Sequence, residues 1–229
     1  MARALWLGHA AFLLELGGSK LLIDPWITGN PSCPLTLDEI RDVGKVDVVC
    51  VSHDHADHLG DAFELCRKQG AKLVCVYEVG VKAQEEGVKP EDIYGMNVGG
   101  TIEVSGLKIT LVPALHSCSV GVPVGFVVRG EGKAVYHAGD TALFGDMALV
   151  PRLYGPLDLA LLPIGGFYTM GPLEAAEAVE LLRPKAVIPM HYATFPVLVQ
   201  DAGEFVRLVY QKCPDVEVVV LRPGETYEF

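Results

Sequence analysis

The sequence predicts an α+β chain folded as an αββα sandwich, two mixed β-sheets covered by helices. Three observations lead there. Strands and helices alternate through the first third, short β-branched strands separated by Gly-containing turns crowd the middle, and helix and strand alternate again towards the C-terminus. Two βα-rich portions flanking a strand-rich middle suit two sheets packed face to face. Half of the 229 residues are apolar, enough for a sizeable core. No linker, low-complexity segment or convincing repeat divides them, so residues 1–229 read as a single domain.

Each element has a local reason. After one or two opening strands, Gly17-Gly18-Ser19-Lys20 reads as a hairpin turn into Leu21-Leu22-Ile23-Asp24. A Pro-rich loop (25–34) and a short helix near 37–43 precede the β-branched run 46–52, a buried strand. A helix over 58–69, a strand over 72–77 and a helix around 79–86 follow. The middle offers strands at 101–104, 107–112, 124–128 and 134–137, with turns such as Arg129-Gly130-Glu131-Gly132. Then come a helix over 143–153, a buried strand over 157–162, a helix over 173–182 started by Pro172, a strand over 186–189, a helix over 196–212 and a last strand over 216–221.

The net charge of -11 argues against an extended nucleic-acid or anionic-membrane surface, which needs clustered Lys and Arg. The six scattered cysteines form no CxxC pair and read as reduced core residues of a cytoplasmic protein. Arg3 ahead of an apolar stretch superficially suggests a signal peptide. His9 interrupts that stretch, no small-residue cleavage site follows, and no apolar run is long enough to span a bilayer.

The densest chemistry is His53-Asp54-His55-Ala56-Asp57-His58, at the end of the buried strand 46–52. His53 and His55 are two apart and point to one side of an extended chain, while Asp57 and His58 lie where the backbone turns. One ion cannot use all four ligands of so short a stretch without strain, so the spacing points to two adjacent metals completed from elsewhere. His116, Asp140 and His191 each follow a strand, where loops held by rigid strands gather function. Taken singly, each of these three is more simply a turn residue or a satisfied polar group.

The six-residue run matches the HxHxDH signature of the metallo-β-lactamase superfamily, and His116, Asp140 and His191 follow in that superfamily's order. Trp6-Leu7-Gly8-His9-Ala10, Ile23-Asp24-Pro25-Trp26, His137-Ala138-Gly139-Asp140-Thr141, Pro163-Ile164-Gly165-Gly166 and Met190-His191-Tyr192 resemble the branch of small metal-dependent hydrolases related to L-ascorbate-6-phosphate lactonase and N-acyl phosphatidylethanolamine phospholipase D. The resemblance covers nearly the whole chain. It implies the metallo-β-lactamase fold, with His53, His55 and His116 on one metal, Asp57, His58 and His191 on the other, and Asp140 bridging. It further implies two divalent ions, zinc first with manganese or iron(II) as alternatives, and a hydroxide shared between them as nucleophile. Asp57 and Asp140 are then the catalytic carboxylates, Asp57 also orienting the water.

Around these, His9 is either a strand cap or a cleft residue. Asp24 is a turn aspartate or a carboxylate orienting a metal-bound imidazole, and His137 is a strand residue or a donor behind the metals. The Gly-rich segment 163–172 lacks the glycine pattern and Lys of a phosphate-cradling loop, and reads as a wall of the site offering Phe167, Tyr168 and Met170. Residues 26–30, Tyr192, Thr194 and Phe195 flank the site, and Cys118 defaults to a buried thiol.

The leading expectation is a binuclear hydrolase of a small-molecule ester, lactone or phosphodiester, with no nucleic-acid partner and no membrane span. Association into homo-oligomers is compatible with the sequence. An RNA-processing nuclease of the same superfamily is the second reading, opposed by the acidic charge. An iron-dependent redox enzyme is the third, opposed by His55 where flavodiiron relatives usually carry Glu. A metal-stapled binding scaffold without catalysis is a fourth.

Overall fold

The computed structural model describes residues 2–42 and 44–229. The chain runs β1 (Arg3–Trp6), β2 (Phe12–Leu16), β3 (Ser19–Ile23), α1 (Leu37–Asp42), β4 (Val48–Cys50), α2 (Ala56–Leu59), α3 (Ala62–Gln69), β5 (Lys72–Val76), α4 (Tyr77–Glu85) and β6 (Ile93–Met96). It continues with β7 (Thr101–Val104), β8 (Leu107–Pro113), β9 (Val124–Gly130), β10 (Lys133–His137), α5 (Leu149–Tyr154), β11 (Leu159–Pro163), α6 (Pro172–Leu182), β12 (Ala186–Met190), α7 (Gly203–Lys212), β13 (Glu217–Val218) and β14 (Thr226–Glu228). Two seven-stranded mixed sheets result, ordered β14-β1-β2-β3-β4-β5-β6 and β13-β12-β11-β10-β9-β8-β7. This is the expected αββα sandwich.

Strand alternation builds the layers. Phe12, Leu14, Leu21, Ile23, Val48, Cys50 and Val74 enter the large core, which they share with the second sheet's Leu111, Phe126, Tyr136 and Leu161. Their neighbours Leu13, Leu22, Val49, Val51, Leu73 and Cys75 point the other way, into a second core with Phe63, Leu65 and Val79 of α3 and α4. A strand buried on both faces has to be apolar throughout, which is why these runs are continuous.

Each sheet is antiparallel in one part and parallel in the other. β3, β4, β5 and β6 run parallel, as do β10, β11, β12 and β13. Parallel pairing brings the carboxyl ends of neighbouring strands to one edge. The segments after β3, β4, β10, β11 and β12 therefore meet, and these carry Asp24, His53, Asp140, Gly165 and His191.

Several elements differ from expectation for identifiable reasons. The helix expected over 58–69 is split at Gly60, which has φ +41°; a Cβ there would lie 2.5 Å from the Pro25 carbonyl oxygen and the Trp26 Cα. Asp61 closes that crossing, its Oδ2 accepting from the Ile27 and Thr28 N–H groups at 3.0 and 2.7 Å. The helix expected over 143–153 opens as a 3-10 turn (Gly145–Ala148) before α5. The helix expected over 196–212 starts only at Gly203, because the preceding segment spends its backbone groups on loops: Val199 N donates to Gly165 O at 2.9 Å and Ala193 N to Val199 O at 2.8 Å. The terminal strand expected over 216–221 narrows to β13, while β6 and β14, short sheet edges of weak apolar pattern, went unexpected. The last residue of the helix expected over 37–43 lies outside the described residues.

Gly60→Ala is expected to cost about 1–3 kcal/mol in chemical denaturation, from left-handed backbone strain and overlap with the crossing chain. A change within experimental error would show that the crossing relaxes freely.

Candidate metal centre

The site is organised from Asp24, fully buried at the end of β3. Its Oδ1 accepts from the Ser52 N–H at 2.7 Å, and its Oδ2 accepts from the Ser52 hydroxyl at 2.7 Å and from His58 Nδ1 at 2.7 Å. With its proton given to Asp24, the Ser52 oxygen is left to accept from His53 Nδ1 at 2.9 Å. Both imidazoles thereby carry their proton on Nδ1 and turn the Nε2 lone pair inward.

Those lone pairs converge on other ligand-type atoms. His53, His55 and His116 each offer an atom to one group within 4.8 Å, His9, Asp57, His58 and His191 to a second, and His53, His58 and Asp140 to a third that joins the two. Asp140 Oδ2 lies 3.2 Å from His58 Nε2, 3.5 Å from His116 Nε2 and 3.0 Å from His191 Nε2. These approaches are close without being aligned: His58 Nε2, both His191 nitrogens and Asp140 Oδ1 are buried and make no hydrogen bond. Buried polar atoms so placed ask for a partner that no side chain supplies, and a divalent cation fits a set of imidazole nitrogens around a carboxylate.

The electrostatics agree. Burial pushes the His53 imidazole down to about 3 and the His9 imidazole down to about 4, so both are neutral and His53 keeps a lone pair for the site. Burial also works against ionising Asp140, yet His58 and His191 outweigh it and hold its carboxyl well below the usual range. Asp57 likewise ionises below its ordinary value, burial being overcome by the His9 hydrogen bond and His58. His58 is drawn well above its ordinary value against its burial, by Asp140 and Asp24. The carboxylates thus demand positive charge here, and a cation can take the place of the His58 proton.

His9, Asp24 and His191 all adopt left-handed backbone, with φ of 53°, 47° and 56°. Such non-glycine strain persists where surrounding contacts over-determine it. His9 O accepts from Trp6 Nε1 and from His191 N, both at 3.0 Å, so one carbonyl joins the two sheets at the site. Gly165 makes room for the turn at His191, since a Cβ there would sit 2.2 Å from His191 O.

All seven sequence-predicted ligands therefore meet in one cluster, and the flanking residues find definite places. His9 Nε2 lies 3.1 Å from Asp57 Oδ2, with the Thr194 hydroxyl 3.0 Å from Nδ1. An ionised carboxylate brings no proton, so His9 donates through Nε2 and positions Asp57. His137 is spoken for at both nitrogens: Nε2 donates to Ala10 O at 2.9 Å and Nδ1 accepts from Gly139 N at 3.1 Å, a tie between the sheets. Ser52 and Asp54 were not singled out from sequence. Asp54 Oδ1 accepts from Ser119 N and Val120 N at 2.8 and 3.2 Å, anchoring the loop after His116. A serine before a histidine carries no signal of its own; only the Asp24 contact exposes its role.

The cluster opens into a cavity of about 770 Å³, walled by Trp26, Tyr168, Phe195, Pro196 and Val197.

Residues 19–192 match the Beta-lactamase superfamily domain. A UPF0173 metal-dependent hydrolase from Methanopyrus kandleri is 54% identical, covering 99% of each chain. Another from Thermococcus kodakarensis is 50% identical over the full length of both. Among solved structures, the metallo hydrolase Igni18 from Ignicoccus hospitalis superposes with a TM-score of 0.91 at 43% identity, over 100% of this chain and 99% of that one.

Asp24→Asn is expected to weaken metal binding about 10–100-fold in chelator competition, with the circular dichroism spectrum retained. Unchanged affinity would remove Asp24 from the orienting role. His137→Gln is expected to lower the melting temperature while leaving metal content as it was; loss of metal with unaltered stability would place that ring at the ions instead.

Proposed function

Because the chain belongs to the β-lactamase superfamily and, within it, to the UPF0173 metal-dependent hydrolases, we propose that it is a binuclear hydrolase of a small-molecule ester, lactone or phosphodiester. The observation that carries this reading is the division of the ligand atoms into two groups joined through His53, His58 and Asp140. His53, His55 and His116 would hold one divalent ion, Asp57, His58 and His191 the other, with Asp140 spanning both. When bound, the ions, zinc first and manganese or iron(II) as alternatives, supply Lewis-acid charge that polarises the scissile group and acidifies water.

The protein's own groups do the rest. Asp24 and Ser52 keep the His58 and His53 lone pairs facing inward, so no rotamer search precedes binding. The His9 hydrogen bond leaves Asp57 ionised at the cleft floor, where it orients the attacking water. Trp26, Phe195 and Val197 line the cavity with apolar surface. The nuclease alternative loses support because, among the described residues, no Lys or Arg lines the cavity. Among the described residues no helix is long and apolar enough to cross a membrane. All six cysteines are free thiols, which suits the proposed cytoplasmic setting.

Chelation is expected to reduce hydrolysis of an ester, lactone and phosphodiester panel to background, and added zinc or manganese to restore it. Turnover that survives verified metal removal would contradict the proposal. Asp57→Ala is expected to lower kcat about 10²–10⁴-fold with the fold retained, checked by steady-state kinetics beside circular dichroism; kcat within twofold of the parent would take Asp57 out of the reaction.

A further inference from the structure

A second cavity, of about 420 Å³, lies at the other end of the strands that carry the metal centre. The proposed ligands Asp140 and His191 follow the carboxyl ends of β10 and β12, whereas this cavity is lined by Lys133 at the start of β10, Asp158 just ahead of β11 and Lys185 just ahead of β12. Arg129 of β9 and Tyr154 of α5 complete its charged and aromatic lining. Here, in a chain of net charge -11, three cations meet one carboxylate. No other Asp or Glu is among the described residues that line the cavity.

That carboxylate is already committed. Asp158 is buried; its Oδ2 accepts from the Ala134 N–H at 2.9 Å, and its Oδ1 is shared by Lys185 Nζ at 2.8 Å and Lys133 Nζ at 3.6 Å. One oxygen between two ammonium groups leaves donors over on both, since each carries three. Arg129 is met less well. Half-buried, it holds its guanidinium carbon 5.4 Å from the Tyr154 ring centroid; its Nη2 reaches the Thr110 hydroxyl at a long 3.4 Å, and its buried Nε makes no hydrogen bond. A guanidinium steadied against a ring and flanked by two ammonium groups is suited to an oxyanion, which takes charge-assisted bonds from all three. The size of the excess selects among oxyanions. A carboxylate brings one negative charge against a surplus of two, while a phosphate monoester brings about 1.5 to 2 at neutral pH. We infer that this cavity binds the dianionic phosphoryl group of a small molecule, at a site separate from the metal centre.

Isothermal titration calorimetry with glycerol 3-phosphate and with inorganic phosphate, at about pH 7.5 where both are mainly dianions, tests this. Each titration is run on the metal-loaded protein, after chelation, and on Arg129→Gln and Lys185→Gln. A binding event is expected that persists after metal removal, with Kd raised at least about tenfold in Arg129→Gln and at least about threefold in Lys185→Gln. The tighter of the two dianions tells whether an ester or free phosphate fills the cavity. Dimethyl phosphate and acetate, with one charge each, are expected to bind at least about tenfold more weakly than that dianion. The Lys185 side chain is 72% exposed, so its replacement keeps the test decisive should Arg129→Gln fail to fold, which a melting curve reports. Phosphate binding that chelation abolishes and both variants retain would place the anion on the ions and overturn the inference. Absence of binding at millimolar concentration, or dimethyl phosphate binding as tightly as the dianions, would overturn it equally.

Discussion

The centre depends on a carboxylate that sits behind the ligands. Asp24 accepts three hydrogen bonds at 2.7 Å, from the Ser52 N–H, the Ser52 hydroxyl and His58 Nδ1. Through Ser52 it also sets the His53 ring. One buried charge thus chooses the tautomer of an imidazole in each proposed metal group. Without it the rings could present N–H where a lone pair is needed, and the arrangement of ligand types would be right but chemically mute.

The fold makes this possible by running parallel strands to a common edge in both sheets. Asp24 and Ser52 follow β3 and β4, which pair in register from Leu21 with Val48 to Ile23 with Cys50. Asp140 and His191 follow β10 and β12 on either side of β11. Hydrogen bonds then cross between the sheets at the site, from Val124 N to Ser52 O at 3.0 Å, from His191 N to His9 O at 3.0 Å and from His137 Nε2 to Ala10 O at 2.9 Å. Such ties offset the left-handed strain at His9, Asp24 and His191.

Much of this was legible in the chain, and the reasons are physical. Strands buried on both faces read as continuous β-branched runs, so β4, β5, β8, β9 and β12 stood out. The His53 to His58 run announced itself because so many ligand types in six residues have no cheaper explanation. Helix ends were less legible. Gly60 breaks a helix through a clash with the Pro25–Trp26 backbone, and residues 196–202 stay irregular because Val199 bonds to Gly165; both are long-range contacts that no local window contains. Ser52 was invisible for the same reason, its partner being 28 residues away. His9 and Asp24 had competing local explanations as cap and turn, and only their contacts with Asp57 and His58 separate the roles.

The proposed hydrolase requires two ions, one on either side of Asp140. Anomalous diffraction from crystals grown with zinc, recorded on both sides of the zinc absorption edge, counts and places them. Two edge-dependent peaks are expected, one among His53, His55 and His116 and the other among Asp57, His58 and His191, with the Asp140 carboxylate between them. A single peak at full occupancy, or density centred away from Asp140, would rule out the two-ion centre.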